Sequence, residues 1–408
     1  MSSPKTGPKG FLWGTAISAH QSEGGNINSD CWLLENLPGS AFREPSGDAC
    51  DSYHRYGEDI ALAASLGFNC YRFGIEWARI EPEPGVFSCA ALDHYRRMLE
   101  ACHAHGLQPM VSYNHFTVPR WYAMRGGFEA ADGAAIFARF AAHATAHLGD
   151  LIPYAATFNE ANIALLIRIM RRGRGGDTIA AMLAAAAKAS GSDQFSSVLF
   201  SDAERINAGL TAAHKAAMQA IRAERSTITL GLLLTMQQVE GIGENNLAAT
   251  VEKALYGDWL AEADHCDFLG VQTYTRFRVG DKGALPLPEG AERTASGYEY
   301  RPQALGATIR LAAAATSKPI YVTESGIATD DDTRRVAFID AALAEVRACL
   351  DEGIDVRSFI QWSMLDNFEW TAGYGQRFGM VDVDRTTFKR TAKPSAAFLG
   401  ARARANLI

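Results

Sequence analysis

The sequence predicts a single α/β domain spanning 1–408, a (β/α)8 barrel, on three observations. Eight short runs rich in aliphatic, aromatic and β-branched residues recur along 408 residues, and each is followed by a stretch with helical character. Most of the runs are apolar almost throughout, as parallel strands covered on both faces are. Strictly alternating strand and helix at this length favours closure into a barrel over an open doubly wound sheet.

The runs are "GFLWGTAIS" from Gly10, "CYRFGIEW" from Cys70, "QPMVSYNHF" from Gln108 and "YAATFNE" from Tyr154, then "ITLGLLLTM" from Ile228, "DFLGVQTYT" from Asp267, "PIYVTES" from Pro319 and "VRSFIQWSML" from Val356. Between them lie amphipathic segments such as "GEDIALAASLG", "ALDHYRRMLEACHAHG", "AERINAGLTAAHKAAMQAIRA" and "DTRRVAFIDAALAEVRACLDEG". The last is expected to be capped by Asp332 or Thr333 and to stop at Gly353. One connection breaks the rhythm. At about 161–200 an apolar and basic patch, "IALLIRIMRRGRGG", leads into an alanine-rich helix and a Gly/Ser-rich loop. The plain reading is an extended connection with a solvated arginine cluster. The sharper one is a cover over the barrel mouth, whose Ile169, Met170, Ile179 and Met182 meet a hydrophobic part of a ligand.

Composition narrows the partners. With 48% hydrophobic and 21% charged residues and a net charge of −7, nothing draws the chain toward nucleic acid or anionic lipid, and a small neutral partner is expected. Seven scattered cysteines without a Cys-x-x-Cys spacing suggest reduced thiols rather than disulfides or zinc. The polar opening "MSSPKTGPKG" has no apolar signal core, and no run reaches the about 18 apolar residues of a membrane span, so a soluble cytoplasmic protein is expected.

Catalytic groups of such barrels sit at the C-terminal ends of the strands. Those ends carry Glu76 and Trp77, Asn114 and His115, Asn159 and Glu160, Gln272 and Tyr274, Glu324, and Trp362 followed by "LDNFEW". Hydrolysis of a glycosidic bond by two carboxyls needs one protonated group to assist the leaving oxygen and one ionised group to attack the anomeric carbon. Glu160 and Glu324 form the natural pair, each ending an apolar strand amid polar neighbours. Read in isolation, His115 could be a satisfied core histidine, and Trp362 and Trp370 core aromatics. His143 and His147 share a helical face, yet no glutamate follows the first and the segment reads as an outer helix; His103 and His105 read as surface residues. Metal-assisted hydrolysis is disfavoured, because "ISAHQSEG" offers His20 beside Gln21 rather than His-x-His.

In order along the chain, "FLWGTAISAHQSEG", "YRFGIEWARIEPEPG", "YNHFTVPRWY", "TFNEAN", "GVQTYTR", "TESG", "WSMLDNFEW" and "RFGMVDVD" resemble the motifs of glycoside hydrolase family 1, the β-glucosidase-like retaining enzymes. The resemblance covers almost the whole chain. It implies a (β/α)8 barrel of the TIM type, no metal or organic cofactor, and cleavage of β-linked sugars with retention of configuration. Carried over by position, Glu160 is similar to the family's acid/base and Glu324 to its nucleophile, with Arg72 and Tyr274 as the pair flanking the nucleophile. Asn159 matches the amide that bonds the sugar's 2-hydroxyl; Gln21, His115, Glu369 and Trp370 match positions holding the other hydroxyls, Trp362 the indole under the ring. Gln272 and Phe378 fall among the remaining substrate-binding positions.

The roles are physically coherent. A guanidinium and a phenol beside Glu324 favour its ionised form, while burial of Glu160 near a second carboxylate raises its pKa. A retaining pair is expected roughly 5 to 5.5 Å apart, against roughly 6.5 to 9.5 Å for an inverter. The chain departs from the family pattern at Ala161, where relatives have Pro, at Gln272 for Asn, Thr273 for Tyr and Ser325 for Asn. Ala161 restores a backbone donor, and Gln272 reaches one methylene further. Glu369 would repel a phosphate dianion, which favours an unphosphorylated sugar. The expected activity is therefore a retaining β-glucosidase. Transfer of the intermediate to an alcohol uses the same residues, and a catalytically silent sugar-binding relative would be expected to lack one of the two carboxylates.

Overall fold

The structure, a computed structural model, describes residues 5–171 and 175–408. Eight parallel strands close into a barrel: β1 Leu12–Ala16, β2 Cys70–Gly74, β3 Gln108–Asn114, β4 Tyr154–Phe158, β5 Thr229–Thr235, β6 Phe268–Thr273, β7 Ile320–Ser325 and β8 Val356–Trp362. Each strand pairs with its neighbours in sequence, and β8 returns to β1 in register from Leu12 opposite Ser358 to Ala16 opposite Trp362. All eight apolar runs are strands, each within a residue or two of its expected start.

Side chains alternate between two buried layers, as a pleated strand requires. Leu12, Ala16, Cys70, Met110, Ala156, Leu233, Phe268 and Ile360 fill the barrel interior, whereas Trp13, Tyr71, Phe73, Val111 and Leu232 meet the surrounding helices. Two glycines make room inside. A Cβ at Gly231 would lie 2.1 Å from the Phe268 ring, and one at Gly270 would lie 2.3 Å from Leu233.

The outer helices follow the amphipathic segments: Ser52–Leu66, Cys89–Ala104, Ala203–Glu224 and Asp332–Asp351. Ser88 and Asp202 cap two of them through the amides of Ala91 and Arg205. The Asp332–Asp351 helix is capped by Asp331, one residue before the expected position. Asp332 is committed elsewhere, accepting from the Ser395 amide and hydroxyl at 2.7 and 2.8 Å and so tying on the C-terminal helix Pro394–Ala405. Two small features were not anticipated: a sheet of Gln238–Gly241, Arg276–Gly280 and Gly283–Ala284 beside the barrel mouth, and a hairpin of Val381–Val383 with Arg390–Ala392.

After β4 the chain forms helices Ile163–Arg171 and Gly176–Ser190 before entering Ala203–Glu224. Arg172, Gly173 and Arg174 of the expected arginine cluster lie outside the described residues. Among the described residues no helix is long and apolar enough to cross a membrane.

Candidate active site

A cavity of about 410 Å³ opens at the C-terminal end of the barrel. Gln21, His115, Asn159, Glu160, Tyr274, Glu324, Trp362, Glu369, Trp370 and Phe378 line it. Arg72 and Gln272 lie beneath this lining, 1% and 0% exposed, and reach it through hydrogen bonds.

Glu324 is the best-held carboxylate. One oxygen accepts from Arg72 Nη1 at 2.5 Å, the other from the Tyr274 hydroxyl at 2.5 Å. Burial pushes its pKa up, and Arg72 and Tyr274 oppose that shift. Glu160 has no comparable cation. Burial and the Glu324 charge drive its carboxyl well above the usual range, against a weaker pull from the Thr235 hydroxyl and from Arg72. The two glutamates thus sit in differently charged settings, with Glu160 the more readily protonated.

Asn159 is fixed in orientation. Its Oδ1 accepts from Arg72 Nη2 and from Gln272 Nε2 (2.9 Å), so its Nδ2 must point the other way, where it donates to His115 Nε2 at 3.1 Å. Burial and Arg72 hold the His115 pKa well below the usual value, leaving a neutral ring able to accept that bond. His115 stacks on Trp362 and Trp370 at 5.7 and 6.2 Å between ring centroids. Gln21 is oriented by Ser18 and the Phe368 carbonyl and donates to Glu369 at 3.1 Å.

Non-glycine residues with positive φ recur around the cavity: Phe116 at 72°, Glu160 at 44° and Trp370 at 46°. Such conformations cost about 1–3 kcal/mol each and persist only when the surroundings over-determine them. For Glu160 the surroundings are explicit. The amide before it, Asn159, donates to Asn114 O at 2.8 Å, and the amide after it, Ala161, donates to Leu233 O at 2.9 Å. Asn162 then exchanges bonds with both the amide and carbonyl of Thr235, at 3.0 Å each. The donor that Pro would lack at position 161 is therefore used, and it stitches the Glu160 turn to the end of β5.

Thr235 and Gln237 were not anticipated as site residues. Gln237 donates to the Thr235 hydroxyl at 3.2 Å and accepts from the amides of Tyr274 and Thr275 at 3.0 and 2.9 Å, linking the neighbourhoods of both glutamates. Their signal was present, because "LLLTMQQ" turns polar at a strand end as the other strands do.

The cover expected after β4 is only partly as read. Helix Ile163–Arg171 presents Ile163, Leu166, Ile167 and Met170 to the cavity, the i, i+3, i+4, i+7 face of one helix. Met170 alone of the four expected residues is there. Ile169 and Ile179 pack against the hydrophobic core, and Met182 is buried in it, its sulfur 3.4 Å from the Ala41 amide. His143 and His147 are likewise engaged separately, on Phe87 and on Asp93, and among the described residues no cluster of metal ligands is found.

Glu369 yields a pH-dependent expectation. Burial and the Glu324 charge push its carboxyl up to about 8, against the pull of Gln21. A folded-state pKa above the unfolded one means that the native state holds extra proton between about pH 4.5 and 8, so stability falls as pH rises through that window. Glu369→Gln removes the effect. Its Tm should match wild type near pH 4 and exceed it increasingly toward pH 8 in differential scanning calorimetry; an unchanging Tm difference across the range would contradict this.

The family model for glycosyl hydrolase family 1 matches residues 3–177 and 263–407. The thermostable β-glucosidase B of Thermobispora bispora is 31% identical over 424 residues, covering 95% of this chain and 89% of that protein. Among solved structures, the apo structure of a β-glucosidase 1317 superposes with a TM-score of 0.94 at 49% identity, covering 97% of this chain and 98% of that one. The β-glycosidase BGL167 superposes with a TM-score of 0.92 at 48% identity, covering 98% and 97%. A barrel mouth carrying two buried glutamates in differently charged settings, together with similarity along nearly the whole chain, places this protein in glycosyl hydrolase family 1, as a glycosidase.

Proposed function

We propose that the chain is a retaining β-glucosidase acting by double displacement on unphosphorylated β-D-glycosides, with Glu324 as nucleophile and Glu160 as acid/base. The observation that carries the assignment is the asymmetry between the carboxyls: Glu324 is bonded on both oxygens by Arg72 and Tyr274, whereas Glu160 is buried without such a cation. Glu324 attacks the anomeric carbon while Glu160 gives its proton to the departing oxygen. Once Glu324 is esterified its charge is gone, so Glu160 ionises more easily and takes the proton of the incoming water.

Asn159 Nδ2, aimed away from its two donors, is available to the 2-hydroxyl, and Gln21, His115, Glu369 and Trp370 surround the remaining hydroxyls, with Trp362 as the surface for the ring. Glu369 accepts from Gln21 and suits neutral hydroxyls rather than a phosphate, which calls for a cation. The Ile163, Leu166, Ile167 and Met170 face suits a hydrophobic aglycone beyond the sugar. The seven free cysteines, six of them buried, fit a reducing cytoplasm.

A panel of nitrophenyl β-glycosides differing only in the sugar, followed by NMR of the first-formed anomer, tests the reading. Glucoside should be preferred to 6-phosphoglucoside, and β-glucose should appear before mutarotation. Early α-glucose would mean inversion and would remove Glu324 as nucleophile.

A further inference from the structure

The cavity mouth holds a cation that the reaction does not use. Arg171 ends helix Ile163–Arg171 and is the sole arginine or lysine among the described residues that line the cavity. Its Nη2 donates to Leu199 O at 3.1 Å, and its guanidinium lies 5.3 Å from the centre of the Phe200 ring. Arg168, three residues earlier, points to Glu204 at 2.5 Å, but Arg171 has no carboxylate within ion-pair distance among the described residues. Burial alone acts on it, pulling its pKa down without a counter-charge.

We propose that Arg171 binds a carboxylate carried by the aglycone, so that the preferred substrates are β-glucosides of acidic aromatic alcohols. The proposal rests on the β-glucosidase reading and narrows it. A guanidinium has five N–H donors in a planar fork that matches a carboxylate. The carbonyl of Leu199 takes one, and the Phe200 face supports the plane of the group without consuming its edge. Leu166, Ile167, Met170 and Phe200 provide an apolar band for an aromatic ring beside this cation. The acids that line the cavity are Glu160 and Glu324 at strand ends and Glu369 in the loop after the last strand, where they face the sugar. Their field at the mouth is smaller than three charges would give, since Glu324 is paired with Arg72 and burial favours the protonated forms of Glu160 and Glu369.

The rival is a purely structural arginine, stabilised as a cation in the last turn of a helix. It predicts equal effects on charged and neutral aglycones. The test compares kcat/KM for 4-carboxyphenyl β-D-glucoside and its methyl ester, using wild type, Arg171→Met and Arg171→Lys. Dividing the acid-to-ester ratio of each variant by that of wild type cancels leaving-group differences. Arg171→Met should lower that ratio about tenfold, the scale of one desolvated charge pair, and Arg171→Lys should restore part of it. An unchanged ratio overturns the proposal. Should the variants not fold, inhibition of the wild type by 4-hydroxybenzoate and by its methyl ester decides: the acid should bind more tightly and lose affinity as NaCl is raised, and equal binding overturns the proposal. Failure of wild type to turn over nitrophenyl β-glucoside would instead remove the β-glucosidase reading, and calorimetric binding of 4-hydroxybenzoate would still decide the role of Arg171.

Discussion

Glu324→Ala should lower kcat/KM for an aryl β-glucoside by on the order of 10⁴-fold or more, the scale seen when a covalent nucleophile is removed. The residue is 3% exposed and both its oxygens are held, by Arg72 and Tyr274, and in the proposed reaction it alone attacks the anomeric carbon. Added azide should enter from the vacated face and yield an α-glycosyl azide, identified by NMR. Removing the carboxylate also removes the charge that raises the pKa of Glu160, so the alkaline limb of the azide-rescued reaction should move to lower pH than in wild type. Glu324→Ala leaves Arg72 buried with Ser112 and Asn159 as its remaining partners, and an uncompensated buried cation is costly. Glu324→Gln keeps the shape and an acceptor for Arg72. It should fold more stably and be equally inactive; activity within tenfold of wild type in Glu324→Gln would show that another group attacks.

The barrel was readable because both-face burial makes each parallel strand a continuous apolar run, and the polar residue that ends it marks the mouth. Glu160, Glu324 and Trp362 could be located that way without any contact information. Residues that act through another residue left no such mark. Gln272 reads as a cavity-facing amide but lies under Asn159, fully buried with its Nε2 donating to Asn159 Oδ1. The cover residues were misplaced for a different reason. "IALLIRIM" is apolar on more than one face, so composition identifies a helix packed on two sides, but only the tertiary contacts show that Leu166, Ile167 and Met170 face the cavity while Ile169 faces the core. Ala161 was visible as a missing Pro. Its consequence, the bond to Leu233 O, became visible only once β5 was placed beside the turn.

Glu160→Ala should show losses that depend on the leaving group. General acid assistance contributes about 10²–10⁴-fold, and it matters most where the departing oxygen is a poor leaving group. For an alkyl glucoside or cellobiose the loss in kcat/KM should approach the upper end of that range, whereas a dinitrophenyl glucoside, which departs unaided, should lose little. With the dinitrophenyl substrate the second step then limits turnover, because no base remains to take the proton of water. A burst of dinitrophenol followed by a slow steady state should therefore appear in stopped-flow absorbance. Azide needs no base, so it should accelerate that steady state and give a β-glycosyl azide, the opposite anomer from Glu324→Ala. The pH profile supplies an independent check. Burial and Glu324 place the Glu160 pKa well above an ordinary carboxyl, and the acid is competent only while protonated, so wild-type kcat/KM falls as pH rises through that value. In Glu160→Gln, which cannot ionise, the alkaline limb seen with the alkyl glucoside should vanish from the residual activity. A uniform loss across leaving groups, with the limb unchanged, would mean that Glu160 positions the substrate rather than transferring its proton.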